Sequence, residues 1–262
     1  ALYHKIFKFS SSYMSENVRF FAENVLILND FRIDVLSNVW YFTMDKASES
    51  DLKMRMRKKP NLQPRMEKCA AVQIAEPAAL RGKWRESFPG KSLWLEIGCG
   101  KGQFTVGTAK ENPEAELIAL ERVEDAMVIA MERACAEETD NVRFISMDAL
   151  KLREVFAPGE VERIFVNFCD PWPKSRDAKH RLTSPNFLRI YADILPMGGE
   201  VCFKTDNLPL FTWSLEQIKA EGWEVHSVTN DLHAGGEGGV MTDYECKFRE
   251  MGVKINRLVA VK

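Results

Sequence analysis

From about residue 91 onward, short apolar runs alternate with longer stretches in which apolar residues recur every three or four positions. The first kind reads as buried strands and the second as amphipathic helices. Strands are predicted over 93–97, 117–120, 142–146, 163–168, 201–204, 224–228 and 258–261. Helices are predicted over 103–111, 124–137, 185–195, 210–220 and 243–251. The alternation predicts βα units and an α/β fold with a mostly parallel seven-stranded sheet. Ser184 before Pro185 fits an N-cap followed by proline at the first helical position, and Gly198-Gly199 punctuates the next connection. The last two strand candidates flank a stretch with Gly235, Gly236, Gly238 and Gly239. That spacing predicts an antiparallel hairpin at one sheet edge.

The earlier residues lack this regularity. Residues 1–53 are aromatic-rich, with helical periodicity over 17–39, and read as an N-terminal extension of unassigned role, with Met54 or Met56 as the natural start. Residues 54–90 read as a basic arm and linker: Arg55, Arg57, Lys58, Lys59, Arg65 and Lys68 stand against one acid, Glu67, before residue 69. A solvated charge run is the plainer account of the same residues. Residues 91–262 form the regular domain.

Composition narrows the class. At 262 residues, 45% hydrophobic and 28% charged, the chain matches globular proteins. No apolar run reaches the roughly 18–20 residues that span a bilayer, and no secretory signal pattern is present. A net charge of −2 means that any nucleic-acid site must come from local clusters. The six cysteines are scattered and the four histidines do not interleave with them, so neither a metal site nor a disulfide framework is expected. A reducing cytoplasm fits this usage, with Cys99, Cys169 and Cys202 expected as buried thiols.

Five strand ends carry candidate chemistry. After the first strand comes Glu96-Ile97-Gly98-Cys99-Gly100-Lys101-Gly102. Gly98, Gly100 and Gly102 let a ligand approach the backbone and the following helix N-terminus. Their spacing is not that of the dinucleotide fingerprint. The second strand ends in Glu121, placed to accept hydrogen bonds from ribose hydroxyls; alone it reads as a surface acid. The third ends in Asp148, placed to reach an adenine or to cap the next helix. The fourth delivers Asp170-Pro171-Trp172-Pro173-Lys174 and a basic tail of Arg176, Lys179, His180 and Arg181. Two prolines hold an irregular backbone in one shape. An acid, an aromatic face and cations together suit a nucleobase and its phosphates. Trp172, flanked by prolines, reads as a brace for the loop rather than a base platform. The fifth strand brings Lys204-Thr205-Asp206 to the same edge, where ligands bind in open α/β sheets.

These motifs, in this order, resemble the bacterial single-chain tRNA (guanine-N7-)-methyltransferases. The resemblance covers about 54–262. It rests on Met54-Arg55-Met56-Arg57-Lys58-Lys59-Pro60, the E-x-G-x-G-x-G loop, Asn167-Phe168-Cys169-Asp170-Pro171-Trp172-Pro173-Lys174, Phe203-Lys204-Thr205-Asp206-Asn207 and Met241-Thr242-Asp243-Tyr244-Glu245. It implies a Rossmann-like methyltransferase fold, S-adenosyl-L-methionine as cofactor, and methylation at N7 of a guanine in the tRNA variable loop. It implies Glu96, Gly98, Gly100, Gly102, Glu121, Asp148 and Asp170 at the cofactor, with Asp170 also facing the chemistry. Lys174, Asp206, Thr242, Asp243, Tyr244 and Glu245 would contact the substrate, and Arg176, Lys179, His180 and Arg181 the RNA. The implied partner is tRNA, without metal or membrane, for a monomer or a homodimer.

Two positions depart from the family's usual Arg-His-x-Lys-Arg-Arg loop: Asp177 stands in place of His and His180 in place of Arg. Both changes weaken phosphate contact, which scales with the number of cations. Thr242-x-x-Glu245 also reads as a capping box opening a helix. Two competing readings are an exocyclic-amine methyltransferase and an RNA-binding homologue without methyl transfer. The Asp-Pro-Trp-Pro order disfavours the first, and the intact strand-end acids disfavour the second.

Overall fold

Alternate residues of the first strand, β1 (Ser92–Ile97), enter opposite layers. Leu93, Leu95 and Ile97 join one apolar cluster and Trp94 joins the other. This is the period-two projection of a strand buried on both faces. The computed structural model describes residues 58–236 and 238–262. These belong to a unit that runs from Met56 to Lys262. The expectations for residues 1–53, and for 54–57 within the basic arm, lie outside the described residues.

β2 (Ala115–Glu121), β3 (Val142–Ser146), β4 (Arg163–Asn167) and β5 (Glu200–Thr205) continue the parallel sheet. β6 (Glu224–Thr229) and β7 (Asn256–Val261) complete it. The spatial order is β3-β2-β1-β4-β5-β7-β6. β7 runs antiparallel to both β5 and β6. The expected antiparallel edge is therefore present, with β6 outermost and largely exposed. Its two strands are joined by a long connection that carries its own helix.

Helices cover both faces. Gln103–Glu111 (α3) and Glu124–Ala136 (α4) place Phe104, Val106, Met127, Ala130 and Met131 in one cluster. Pro185–Ile194 (α6) and Leu208–Ala220 (α7) place Phe187, Leu188, Tyr191, Leu210 and Phe211 in the other. The last helix, Asp243–Glu250 (α8), lies between β6 and β7 in sequence. Ser184 does precede Pro185 at the start of α6, but its hydroxyl donates to the carbonyl of Lys179 instead of capping the helix.

The described part of the basic segment is built into the domain. Leu62–Lys68 (α1) buries Met66 in the cluster beneath α4, and the Arg65 guanidinium forms two 2.6 Å bonds to Glu132. Two further short helices, Trp84–Ser87 (α2) and Leu152–Val155 (α5), lie on the opposite face. Trp84 is fully buried there and donates its indole N–H to the carbonyl of Val155. The Glu160 carboxylate accepts from the backbone N–H groups of Gly82, Trp84 and Ala157, fixing the entry to α2. Among the described residues no helix is long and apolar enough to cross a membrane.

Candidate active site

The carboxyl ends of β1, β2, β3, β4 and β5 bring most of the expected residues to one sheet edge. At the β1 end the three glycines divide by role. Gly98 and Gly100 have φ of +79° and +57°, and a Cβ at either would meet nothing within 4 Å. Gly102 has φ of +77°, and a Cβ there would lie 2.6 Å from that of Ala130. Gly102 thus lets α3 sit against α4, while Gly98 and Gly100 leave their backbone open to a ligand.

Glu96, one residue inside β1, is 1% exposed. It accepts from the Thr105 hydroxyl at 2.6 Å and the Asn167 amide at 3.1 Å. Burial raises its carboxyl to about 7, against those two hydrogen bonds, which pull it down. Glu96 ties the glycine turn to α3 and β4 from below.

Glu121 spans the mouth of the same turn. One oxygen accepts from the Gly100 N–H at 3.0 Å and the other from the Val123 N–H at 2.9 Å. Asp148, half-buried at the β3 end, accepts from the Leu150 N–H at 2.9 Å, so its capping role is realised. Both carboxylates keep lone pairs beyond these bonds.

The loop after β4 is the most unusual backbone in the site. Phe168 and Trp172 have φ of +51° and +44°, in the left-handed region that side chains avoid. Such outliers persist only where surroundings impose them, and they gather at functional sites. Between them Asp170 is exposed. Its neighbour Cys169 is buried enough that its thiol is pushed up to about 12. Trp172 is half-buried with its ring 5.2 Å from that of His180, consistent with a brace. Lys174, Arg176, Lys179 and His180 are exposed, and Arg176 meets only Asp177, at 3.8 Å, among the described residues. Arg181 turns inward, donating to the carbonyls of Pro171 and Trp172.

The β5 end and α8 differ again. Asp206 is half-buried, and burial raises its carboxyl. Thr242 and Glu245 form a reciprocal capping box. Glu245 is 0% exposed and is bonded to Lys204 Nζ at 2.7 Å, while His233 Nε2 stands 3.1 Å from its other oxygen, misaligned for a hydrogen bond. Lys204 also donates to the Val240 carbonyl and lies 4.9 Å from the Phe104 ring. Asp243 pairs with Arg133 at 3.3 Å, and Tyr244 is exposed. Of the four residues expected to meet substrate here, Tyr244 is exposed, Asp243 is half-buried against Arg133, and Thr242 and Glu245 hold the helix start. Lys204 and His233, central to this cluster, were not among the residues singled out for substrate from the sequence. A lysine inside an apolar strand was the only signal for the first.

The donor set suits S-adenosyl-L-methionine. Two glycines present open backbone, the first turn of α3 has no side-chain cap, and carboxylates stand at the ends of neighbouring strands to meet hydroxyl and cationic groups. Among the described residues no group of three or more His, Cys, Asp or Glu is placed to hold a metal ion.

Comparison with known proteins agrees. A family model described as "Putative methyltransferase" matches residues 90–258. Two solved structures share the architecture. They are the 16S rRNA methyltransferase KamB (TM-score 0.53, 17% identity, covering 71% of this chain and 92% of that one) and an antibiotic-related methyltransferase (TM-score 0.52, 14% identity, 69% and 92%). The fold and the strand-end site therefore define a Rossmann-like methyltransferase that uses S-adenosyl-L-methionine. A tRNA (guanine-N(7)-)-methyltransferase of Listeria innocua is 43% identical over 209 residues, which cover 79% of this chain and 98% of that one. Those of Halalkalibacterium halodurans (43%, 79% and 95%) and Lachnoclostridium phytofermentans (44%, 72% and 90%) are similarly related. The chain belongs to the bacterial tRNA (guanine-N7-)-methyltransferase family.

Proposed function

We propose that this chain transfers a methyl group to N7 of a guanine in the variable loop of tRNA, with Asp170 as the catalytic residue. The observation that carries this reading is an exposed carboxylate in a braced, left-handed loop, beside an open glycine turn and a row of exposed cations. S-adenosyl-L-methionine supplies the electrophilic methyl group when bound. Gly98 and Gly100 offer it backbone, and Glu121 and Asp148 offer it acceptors.

Guanine N7 has a lone pair and no proton to lose, so no general base is required. The tasks left to the chain are alignment and charge management. The Asp170 carboxylate accepts from N1–H and N2–H₂ of the guanine, which selects the base and fixes the direction of N7. The product ring is cationic, and the same carboxylate stabilises it. Asp206 is a further acceptor at the same edge, while Lys174, Arg176 and Lys179 meet phosphates. Glu245 acts through Lys204 and the start of α8, which present Asp243 and Tyr244.

The direct test is incubation of unmodified tRNA with labelled S-adenosyl-L-methionine, followed by identification of the nucleoside. N7-methylguanosine from the variable loop is expected. An N2-methyl or N6-methyl product, or tRNA binding without methylation, would overturn the reading.

A further inference from the structure

The cations after Asp170 divide into two groups. Lys174, Arg176 and Lys179 point to solvent, as an RNA-facing row would. Arg181 does not. Its Nε donates to the Pro171 carbonyl at 2.9 Å, and a terminal nitrogen donates to the Trp172 carbonyl at 2.9 Å. Its Nε also lies 3.3 Å from the Trp172 carbonyl. The guanidinium carbon is 4.3 Å from the centroid of the Trp213 ring on α7.

This arrangement answers a need created by the loop. The carbonyls of Pro171 and Trp172 flank a left-handed residue outside any strand or helix, so no regular ladder supplies their donors. A planar guanidinium presents several N–H groups in a rigid fork, and an ammonium cannot copy that geometry. The chain on either side of Arg181 is also tied down. Its own N–H donates to Ala178, the Tyr191 hydroxyl donates to the carbonyl of Leu182, and the hydroxyls of Thr183 and Ser214 lie 2.6 Å apart. The fork is thereby fixed to α6 and α7, and through it the loop is fixed as well.

We propose that Arg181 is a positioning residue for Asp170, not an RNA contact. It clamps the Asp-Pro-Trp-Pro loop to α7 so that the carboxylate meets the guanine in one orientation. The inference rests on the proposed role of Asp170.

The test compares Arg181→Gln, Arg181→Lys, Trp213→Leu and Arg176→Ala with the wild-type chain. Two quantities are read: the single-turnover methyl-transfer rate at saturating tRNA, and the slope of log affinity for tRNA against log salt. A lost phosphate contact lowers that slope by roughly 0.7–0.9. Misplacing a reacting group by about 1 Å can cost on the order of a hundredfold in rate. The expected result is a fall of roughly tenfold to a hundredfold in rate for both Arg181 variants, with the slope of wild type. Trp213→Leu, which removes the stacking partner without touching any charge, lowers the rate in the same sense. Arg176→Ala, which removes one cation of the solvent-facing row, calibrates the slope: it falls by roughly 0.7–0.9. A lower slope for Arg181→Gln, an unchanged rate, or a normal rate for Arg181→Lys would each overturn the assignment. The slope requires only tRNA binding, so it tests Arg181 whatever nucleoside the wild-type chain produces. A product other than N7-methylguanosine counts against the proposed function alone.

Discussion

Glu96 and Asp170 come from neighbouring parallel strands, β1 and β4, yet they live in opposite conditions. Glu96 is sealed beneath the sheet edge, held by Thr105 and Asn167, with its carboxyl raised to about 7. Asp170 stands exposed on a loop whose backbone is bent into the left-handed region on both sides. A few residues of chain separate an acid inside the strand from one beyond its end, and that distance decides the job. The inner acid shapes the glycine turn after β1. The outer acid is left exposed to solvent. Glu121 lies between these extremes, engaged with Gly100 and Val123 but still at the mouth of the turn.

The contrast is most exposed to a change at Asp170. Asp170→Asn should lower single-turnover methylation of tRNA by about 10²–10³, the usual loss for a preorganised electrostatic group. Its thermal midpoint should stay near that of wild type, because no structural partner is lost. A matching drop in midpoint, or near-normal turnover, would erase the distinction.

Glu96→Gln should behave in the opposite way, through stability and pH. The folded carboxyl holds its proton up to about pH 7, and its ordinary value is 4.5. Between those values the native state binds more protons than the unfolded one, so wild-type stability falls as pH rises through the window and then levels off. The glutamine cannot ionise, so the variant should gain on wild type across that range, by on the order of 3 kcal/mol at its limit. Denaturant unfolding at pH 5 and pH 8 measures it, and a pH-independent difference would mean that Glu96 ionises freely.

Thr242→Ala tests whether the Glu245 segment belongs with Glu96 as a buried support. Loss of the cap should cost about 1–2 kcal/mol in unfolding free energy, with a raised KM for tRNA as Asp243 and Tyr244 lose their placement. The smallest effect is expected at Lys179→Ala, a solvent-facing cation. The salt slope for tRNA binding should drop by roughly 0.7–0.9, with little change in rate at saturation or in stability.

Much of this arrangement was legible in the chain because it is local. Runs of β-branched and apolar residues mark buried parallel strands, and helix bounds such as Gln103–Glu111 follow from three-to-four spacing. The strand-end acids and Gly98 and Gly100 were legible for the same reason, since a site at the carboxyl edge is written as punctuation after each strand. What stayed hidden was the choice of partners far apart in sequence. Nothing near Arg65 announces that Glu132 will take its charge and make α1 part of the domain. Nothing near Arg181 says that carbonyls ten and nine residues earlier will take up its guanidinium. The same holds for Lys204, whose partner Glu245 lies 41 residues on. Gly102 carries the glycine signature but answers to Ala130, a packing constraint that only the fold reveals.

The order of the sheet also dictates an order of assembly. Among the described residues β6 reaches the sheet through β7, although β7 comes later in the chain. During synthesis, β6 must therefore wait, unpaired, until the strand that bridges it to β5 has left the ribosome. A nascent chain stopped just short of residue 256 lacks one strand in sequence but two in the sheet.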